Sequence, residues 1–142
     1  MSEARDVGER WFETVTRGDP AAIEALLAPS CDFAAPGAAL SNASEAARYV
    51  AAFADAFPDA AFTIGRWIEA GATAVAEGRY VGTHTGDLAT PRGAIPPTRR
   101  SVEVPFAAIL EAAGGVLSMH RAYWDNVSFF GQLGLMPGPG AR

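Results

Sequence analysis

Apolar residues in this chain change their period once, at Pro58, and that change restricts the fold more than any other feature. Upstream the spacing is helical. Val7, Trp11 and Val15 recur at i, i+4 and i+8 with Phe12 beside them, which predicts an amphipathic helix with one face toward a core. Gly18 stops it, and Asp19-Pro20 places an N-cap before a proline at the first helical position. The second helix is expected to run to about Leu27 and to end at Pro29, followed by a short extended piece from Cys31 to Ala35. Asn42 with Glu45 three residues on resembles a capping box, and Tyr49, Val50, Phe53 and Phe57 give the third helix an apolar face. Downstream of Pro58 the period is two. Phe62, Ile64 and Ile68 alternate with Thr63, Gly65 and Trp67, and segments 73–85, 100–111 and 116–126 keep that rhythm. Gly71 and Gly114-Gly115 mark hairpin turns, whereas 86–99, with Pro91, Pro96 and Pro97, reads as a longer loop. A last apolar segment from Phe129 to Met136 leads into a loose Pro137-Gly138-Pro139-Gly140 tail.

Helices followed by a run of antiparallel strands form an α+β pattern with the helices on one sheet face. A strongly curved antiparallel sheet wrapped around three N-terminal helices encloses a cone, and the mouth of a cone is a natural small-molecule site. The 142 residues make one domain, 1–142, with no repeat and no linker. A chain of this size removes roughly 70% of its unfolded surface from water, enough for a core and one internal pocket. Hydrophobic residues at 49% exclude disorder as the main state.

Charge excludes several function classes. All 11 basic residues are Arg and no Lys is present, which removes Schiff-base chemistry, pyridoxal phosphate attachment and a Walker lysine. The net charge of −5, with Arg99-Arg100 as the sole adjacent basic pair, excludes a nucleic-acid binder. Charges interrupt every apolar run well before the roughly 18 residues a membrane helix needs, and the charged N-terminus has no signal-like apolar region. A cytoplasmic protein without a membrane partner is expected. Abundant Ala with absent Lys fits a GC-rich bacterial genome. Cys31, the single cysteine, forms no internal disulfide and stands in no metal-binding spacing.

The motif search is mostly negative: no G-x-S-x-G, no G-x-G-x-x-G and no H-E-x-x-H. His84 and His120 lie too far apart in sequence to suggest a metal pair, so neither metal nor cofactor is expected, and acid–base chemistry remains. Three segments carry a resemblance. Gly82-Thr83-His84-Thr85-Gly86-Asp87, then Pro96-Pro97-Thr98 with Arg99-Arg100, then Tyr123-Trp124-Asp125-Asn126 leading to Gln132-Leu133-Gly134, are similar to the SnoaL-like polyketide cyclases. Phe57-Pro58-Asp59 and Leu26-Leu27-Ala28-Pro29 fit the same pattern, so the resemblance spans about Val7 to Leu135. It implies a nuclear-transport-factor-2-like cone and cofactor-free ring closure by an intramolecular aldol step in bacterial secondary metabolism. Relatives of that fold also isomerise, hydrolyse epoxides and dehydrate.

The resemblance also locates a departure. The acid–base Asp of the aldol cyclases falls on Ala122, and their polar partners on the preceding strand fall on Phe106 and Ala108. Strand parity puts Ser118, His120, Ala122 and Trp124 on one face of the last strand, and Leu117, Met119, Arg121, Tyr123 and Asp125 on the other. Apolar content alone would turn the second face inward; the resemblance turns the first inward. His120 then points into the cone beside the vacant position and becomes the leading acid–base candidate, with Ser118 as an orienting hydroxyl. His84 and Asp125 are weaker catalytic candidates, since His84 can cap a strand end and Asp125 can cap the terminal helix. The expected binding surface comprises Trp11, Val15, Phe33, Tyr49, Phe53, Phe57 and Trp67, with Phe106, Ala108, Ala122 and Trp124 around the vacant position. Such a lining suits a hydrophobic small-molecule substrate. A cyclase-like or isomerase-like enzyme leads, a non-catalytic binding or partner protein on the same cone is the alternative, and a homodimer is expected.

Overall fold

The computed structural model describes residues 2–135, so Met136 and the Pro137–Gly140 tail expected from the sequence lie outside the described residues. Helix α1 (Glu3–Arg17) starts where the Ser2 hydroxyl accepts the Arg5 N–H, and it ends at Gly18, whose φ of 73° gives the left-handed cap. Glu3 and Asp6 in its first turn and Arg17 in its last complement the helix dipole. Asp19 caps α2 (Pro20–Ala25). This helix is shorter than expected. The chain turns extended at Leu27 because β1 (Leu27–Ala35) pairs in parallel with β8 (Val116–Tyr123), and the Leu117 N–H reaches Leu26 O at 2.8 Å. A three-residue strand, β2 (Ala38–Leu40), folds back on β1 and was not apparent from the sequence.

Helix α3 (Ala43–Ala56) is capped by Asn42, whose side-chain oxygen accepts the Glu45 N–H at 2.8 Å while its amide donates to the Glu45 carboxylate at 2.9 Å. Its fully buried positions are alanines, Ala46, Ala47 and Ala51 among them; of the apolar face expected from the sequence, Phe57 at the C-cap is buried, and Tyr49, Val50 and Phe53 are half-buried against the core. Small side chains let the helix backbone sit close to the core. Tyr49 and Phe53 are thereby left half-buried on its cavity side.

The sheet runs β2-β1-β8-β7-β4-β3, with β3 (Ala61–Ala70), β4 (Thr73–Thr83) and β7 (Ser101–Ala113) completing it. Every pairing except β1 with β8 is antiparallel. The expected loop 86–99 contains a small separate hairpin, β5 (Leu88–Thr90) and β6 (Gly93–Ile95). Helix α4 (Asn126–Gln132) closes the described chain. The core fills the space between the helices and the concave face of the sheet.

Two bulges reset strand parity. In β3, Gly65 is extra, because Ile64 pairs with Gly78 and Arg66 with Glu77. Side chains beyond it swap faces, so Trp67 packs inward while Ile68 is 48% exposed, the reverse of the strict alternation expected. In β8, Ser118 is extra, because Met119 pairs with Glu111 and Leu117 with Ala112. Both readings of the last strand are therefore partly right. The bulge puts Leu117, from one parity set, on the same inward face as His120, Ala122 and Trp124 from the other.

Candidate functional site

The cavity lies between α1, α3 and the concave sheet, with a volume of about 110 Å³. Helix α1 supplies Trp11, Phe12 and Val15, and α3 supplies Tyr49, Val50, Phe53 and Ala54. The sheet supplies Phe33 and Ala35 from β1, Phe62 from β3, Tyr80 from β4 and Val104, Phe106 and Ala108 from β7. His120, Ala122, Trp124 and Phe129 complete the wall from the C-terminal end. No Arg, Asp or Glu lines it among the described residues.

His120 is its most polar feature. The imidazole lies 6% exposed, stacked on Phe33 at 4.5 Å with the rings 6° from parallel, and tilted against Trp11 at 5.2 Å. Burial away from water disfavours the imidazolium and pushes its pKa down to about 4, with its own backbone carbonyl opposing this weakly. Its Nδ1 is buried and has no hydrogen-bond partner among the described residues. Ser118, expected to orient it, is exposed on the outer side of the bulge. Aromatic faces, not a hydroxyl, therefore hold this ring.

The other polar lining groups are phenols and one indole. Trp124 ties off its N–H on Asn126 Oδ1 at 2.7 Å, and Asn126 in turn donates to Pro36 O, which leaves the indole face toward the cavity. Burial pushes the Tyr49 phenol up to about 12 and the Tyr80 phenol higher still, so both stay protonated. Tyr80 was missed from the sequence, although Ala74, Ala76 and Tyr80 share the inward parity of β4 and could have disclosed it.

The sequence match agrees with this geometry. The model of the SnoaL-like domain family matches residues 8–120. The chain belongs to the SnoaL-like family. Solved structures repeat the cone. A protein from Jannaschia sp. CCS1 assigned as a SnoaL-like polyketide cyclase superposes with a TM-score of 0.80 at 16% identity, over 95% of this chain and 94% of that one. A Catenulispora acidiphila protein of ketosteroid-isomerase-like fold, solved with trimethylamine, gives 0.75 at 20% identity over 94% and 95%. IdmH from Streptomyces antibioticus, assigned as a polyketide cyclase, gives 0.70 at 23% identity over 92% and 97%. At these identities the likeness shows the fold. No curated protein matches the chain in sequence.

Within this SnoaL-like frame the remaining sequence candidates separate. His84 lies outside the cavity, fully buried and stacked on Phe57 at 5.2 Å. Its Nδ1 accepts the Thr98 N–H at 3.2 Å, its N–H reaches Arg100 O, and its carbonyl takes the Arg99 N–H, so it latches the 86–99 segment to the sheet end. Burial lowers its pKa. Asp125 also stands outside the cavity and caps α4, accepting the Val127 and Ser128 N–H groups at 2.9 and 3.2 Å. Phe57 belongs to a second cluster with Phe129, Val102 and Leu133, and Trp67 packs under α1 against Phe12, so neither lines the cavity. Cys31 is buried and its thiol is pushed up to about 11, which leaves it unreactive. Among the described residues no three His, Cys, Asp or Glu side chains are grouped to hold a metal, and no helix is long and apolar enough to cross a membrane.

Proposed function

We propose that this SnoaL-like protein is a cofactor-free, cyclase-like or isomerase-like catalyst of bacterial secondary metabolism that acts on a hydrophobic, polyketide-type small molecule. The observation that carries the reading is an aromatic cavity holding one titratable imidazole, His120, beside Ala122, the position on which the resemblance puts the acid of the aldol cyclases. Orientation supplies most of the effect. A flexible chain held in a reactive fold gains much of the rate that freezing its rotations would otherwise cost. His120, neutral in the free protein, is the group placed to accept a proton from bound substrate. The usual anthracycline-type esters should not undergo aldol cyclisation here, because Ala122 offers no proton acceptor.

A second reading is favoured by one specific observation. An imidazole with a pKa of about 4 and no orienting partner among the described residues is a weak base, and no carboxylate among them lines the cavity to balance its protonated form. A non-catalytic binding protein needs no such base. Mass spectrometry of what co-purifies with the native protein tests the common ground. An apolar molecule released on unfolding, and absent from an Ala108→Leu/Ala122→Leu variant that fills the cavity, is expected. No difference between the two proteins would refute the ligand site. Turnover of the identified molecule, lost by on the order of 100-fold or more in His120→Ala, then separates catalyst from binder.

A further inference from the structure

We propose that the cavity encloses a compact, uncharged group of about four or five non-hydrogen atoms, one of them a hydroxyl or carbonyl oxygen, seated on a row of alanines beside His120. This rests on reading the cavity as a ligand site and sets what that site holds. The row follows from strand register. Ala76 pairs with Ala108, and Ala108 pairs with Ala122. On the far side β1 runs in step with β8, with Phe33 beside His120 and Ala34 beside Arg121, which brings Ala35 beside Ala122. Four adjacent strands thus turn a methyl group inward at one level, and three of the four, Ala35, Ala108 and Ala122, line the cavity. One inward step away, about 7 Å along the strands, stand Phe33 and His120; one step the other way stand Phe106 and Trp124. Helix α1 leans on both flanks, Trp11 on His120 at 5.2 Å and Phe12 on Phe106 at 5.7 Å. Large rings on either side of a strip of methyls leave the space over the methyls.

Volume sets the size. An engineered cavity of about 150 Å³ takes one benzene, with its six carbons, so about 110 Å³ encloses about four or five non-hydrogen atoms.

The lining carries two buried polar atoms without a partner among the described residues, His120 Nδ1 and the Tyr80 hydroxyl. A group this small cannot meet both. Tyr80 pairs with Val104, about 14 Å of strand from the alanine row, and the rings of Phe57, Phe62 and Phe129 crowd it at 6.0, 5.0 and 6.5 Å. His120 stands one step from the row and is 6% exposed. Its Nδ1 can accept from a hydroxyl or, in the other tautomer, donate to a hydroxyl or a carbonyl. No Arg, Asp or Glu among the described residues lines the wall to balance a charged group.

The test is titration with isobutanol, isobutylammonium, isobutyl chloride and 1,8-dihydroxyanthraquinone at pH 7.5. It is read by NMR from the indole N–H signals of Trp11 and Trp124, against Trp67, which lies outside the cavity. Isobutanol should shift the first two. Isobutylammonium, with the same number of non-hydrogen atoms, should bind on the order of 100-fold more weakly, and the rigid fused anthraquinone should not bind. Ala122→Val, which puts two more carbons into the space, should weaken isobutanol at least about tenfold. His120→Leu, checked for folding by circular dichroism, should weaken isobutanol about tenfold yet keep its affinity for isobutyl chloride, and Tyr80→Phe should weaken isobutanol less than about threefold. Binding of the ammonium as tightly as the alcohol, a loss in Tyr80→Phe as large as in His120→Leu, or binding of the anthraquinone alone would overturn the inference and leave the ligand site standing. Failure of every probe would overturn both.

Discussion

Replacing His120 by Phe tests whether the cavity floor is dry. The phenyl ring keeps the stack on Phe33 and has free volume beside it, so the main change is loss of a titrating group. In the folded protein the His120 pKa is pushed down to about 4, and in the unfolded chain it is about 6.5. On acidification the unfolded chain takes up its proton first. His120 therefore leaves stability untouched well above pH 6.5, and withdraws it as pH falls from about 6.5 to about 4. Between pH 7 and pH 5 that loss is about 2 kcal/mol. Urea unfolding of wild type and His120→Phe at both pH values isolates it, because His84, also depressed by burial, titrates in both proteins and cancels in the difference. The variant should gain about 2 kcal/mol over wild type on going from pH 7 to pH 5. An unchanged difference between the two proteins would mean that water reaches the imidazole, and the reading of a dry cavity floor would fall with it.

Gly78→Ala should destabilise the protein by more than about 2 kcal/mol in urea unfolding, because a Cβ there would run into the Thr63 carbonyl across the β3 bulge; a neutral result would show that the bulge relaxes. Asp125→Ala should cost about 1 kcal/mol through loss of the α4 cap and leave ligand affinity unchanged, as titration of the two proteins with one ligand checks. The outer sheet face, with Val81 and Tyr123 at 36% and 54% exposure among the ion pairs Arg79–Glu103 and Arg66–Glu77, is expected to join two copies. Light scattering at micromolar concentration that returned the 14.8 kDa monomer mass would refute that.

Most of the helical half and all four long C-terminal strands were legible because their signals are local. Ser2 aside, the caps Asp19, Asn42 and Asp125 and the stops Gly18 and Pro58 announce themselves within a few residues. What the sequence hid depends on partners far along the chain. β1 starts at Leu27 because β8 is there to pair with it, 90 positions later, and no local rule carries that. The bulges at Gly65 and Ser118 are set by register against β4 and β7. Each moved one expected site residue. Trp67 went into the packing under α1, and Ser118 went to the outside. The alternation of Leu117 against His120 looked like a choice between two faces only because a strand without a bulge allows no third answer.

The apolar wall around Ala122 and the neutral imidazole have a common cause. His120 and Ala122 share one face of β8, and Ala108 pairs with Ala122 while Phe106 lies next along β7. A carboxylate at 122 would give His120 a nearby counter-charge and favour its protonated form. Polar side chains at 106 and 108 would admit water to the same wall. Phe and two alanines do the reverse. They offer no charge, dry the floor and thereby hold the imidazole neutral, all through the same three positions. In a lining of this kind a single charge at 106, 108 or 122 would have neither water nor a counter-charge to make its desolvation tolerable. What lines the cavity is a neutral imidazole among aromatic and alanine side chains, and a ring so dried can take part in a hydrogen bond at far smaller cost than it can hold a proton.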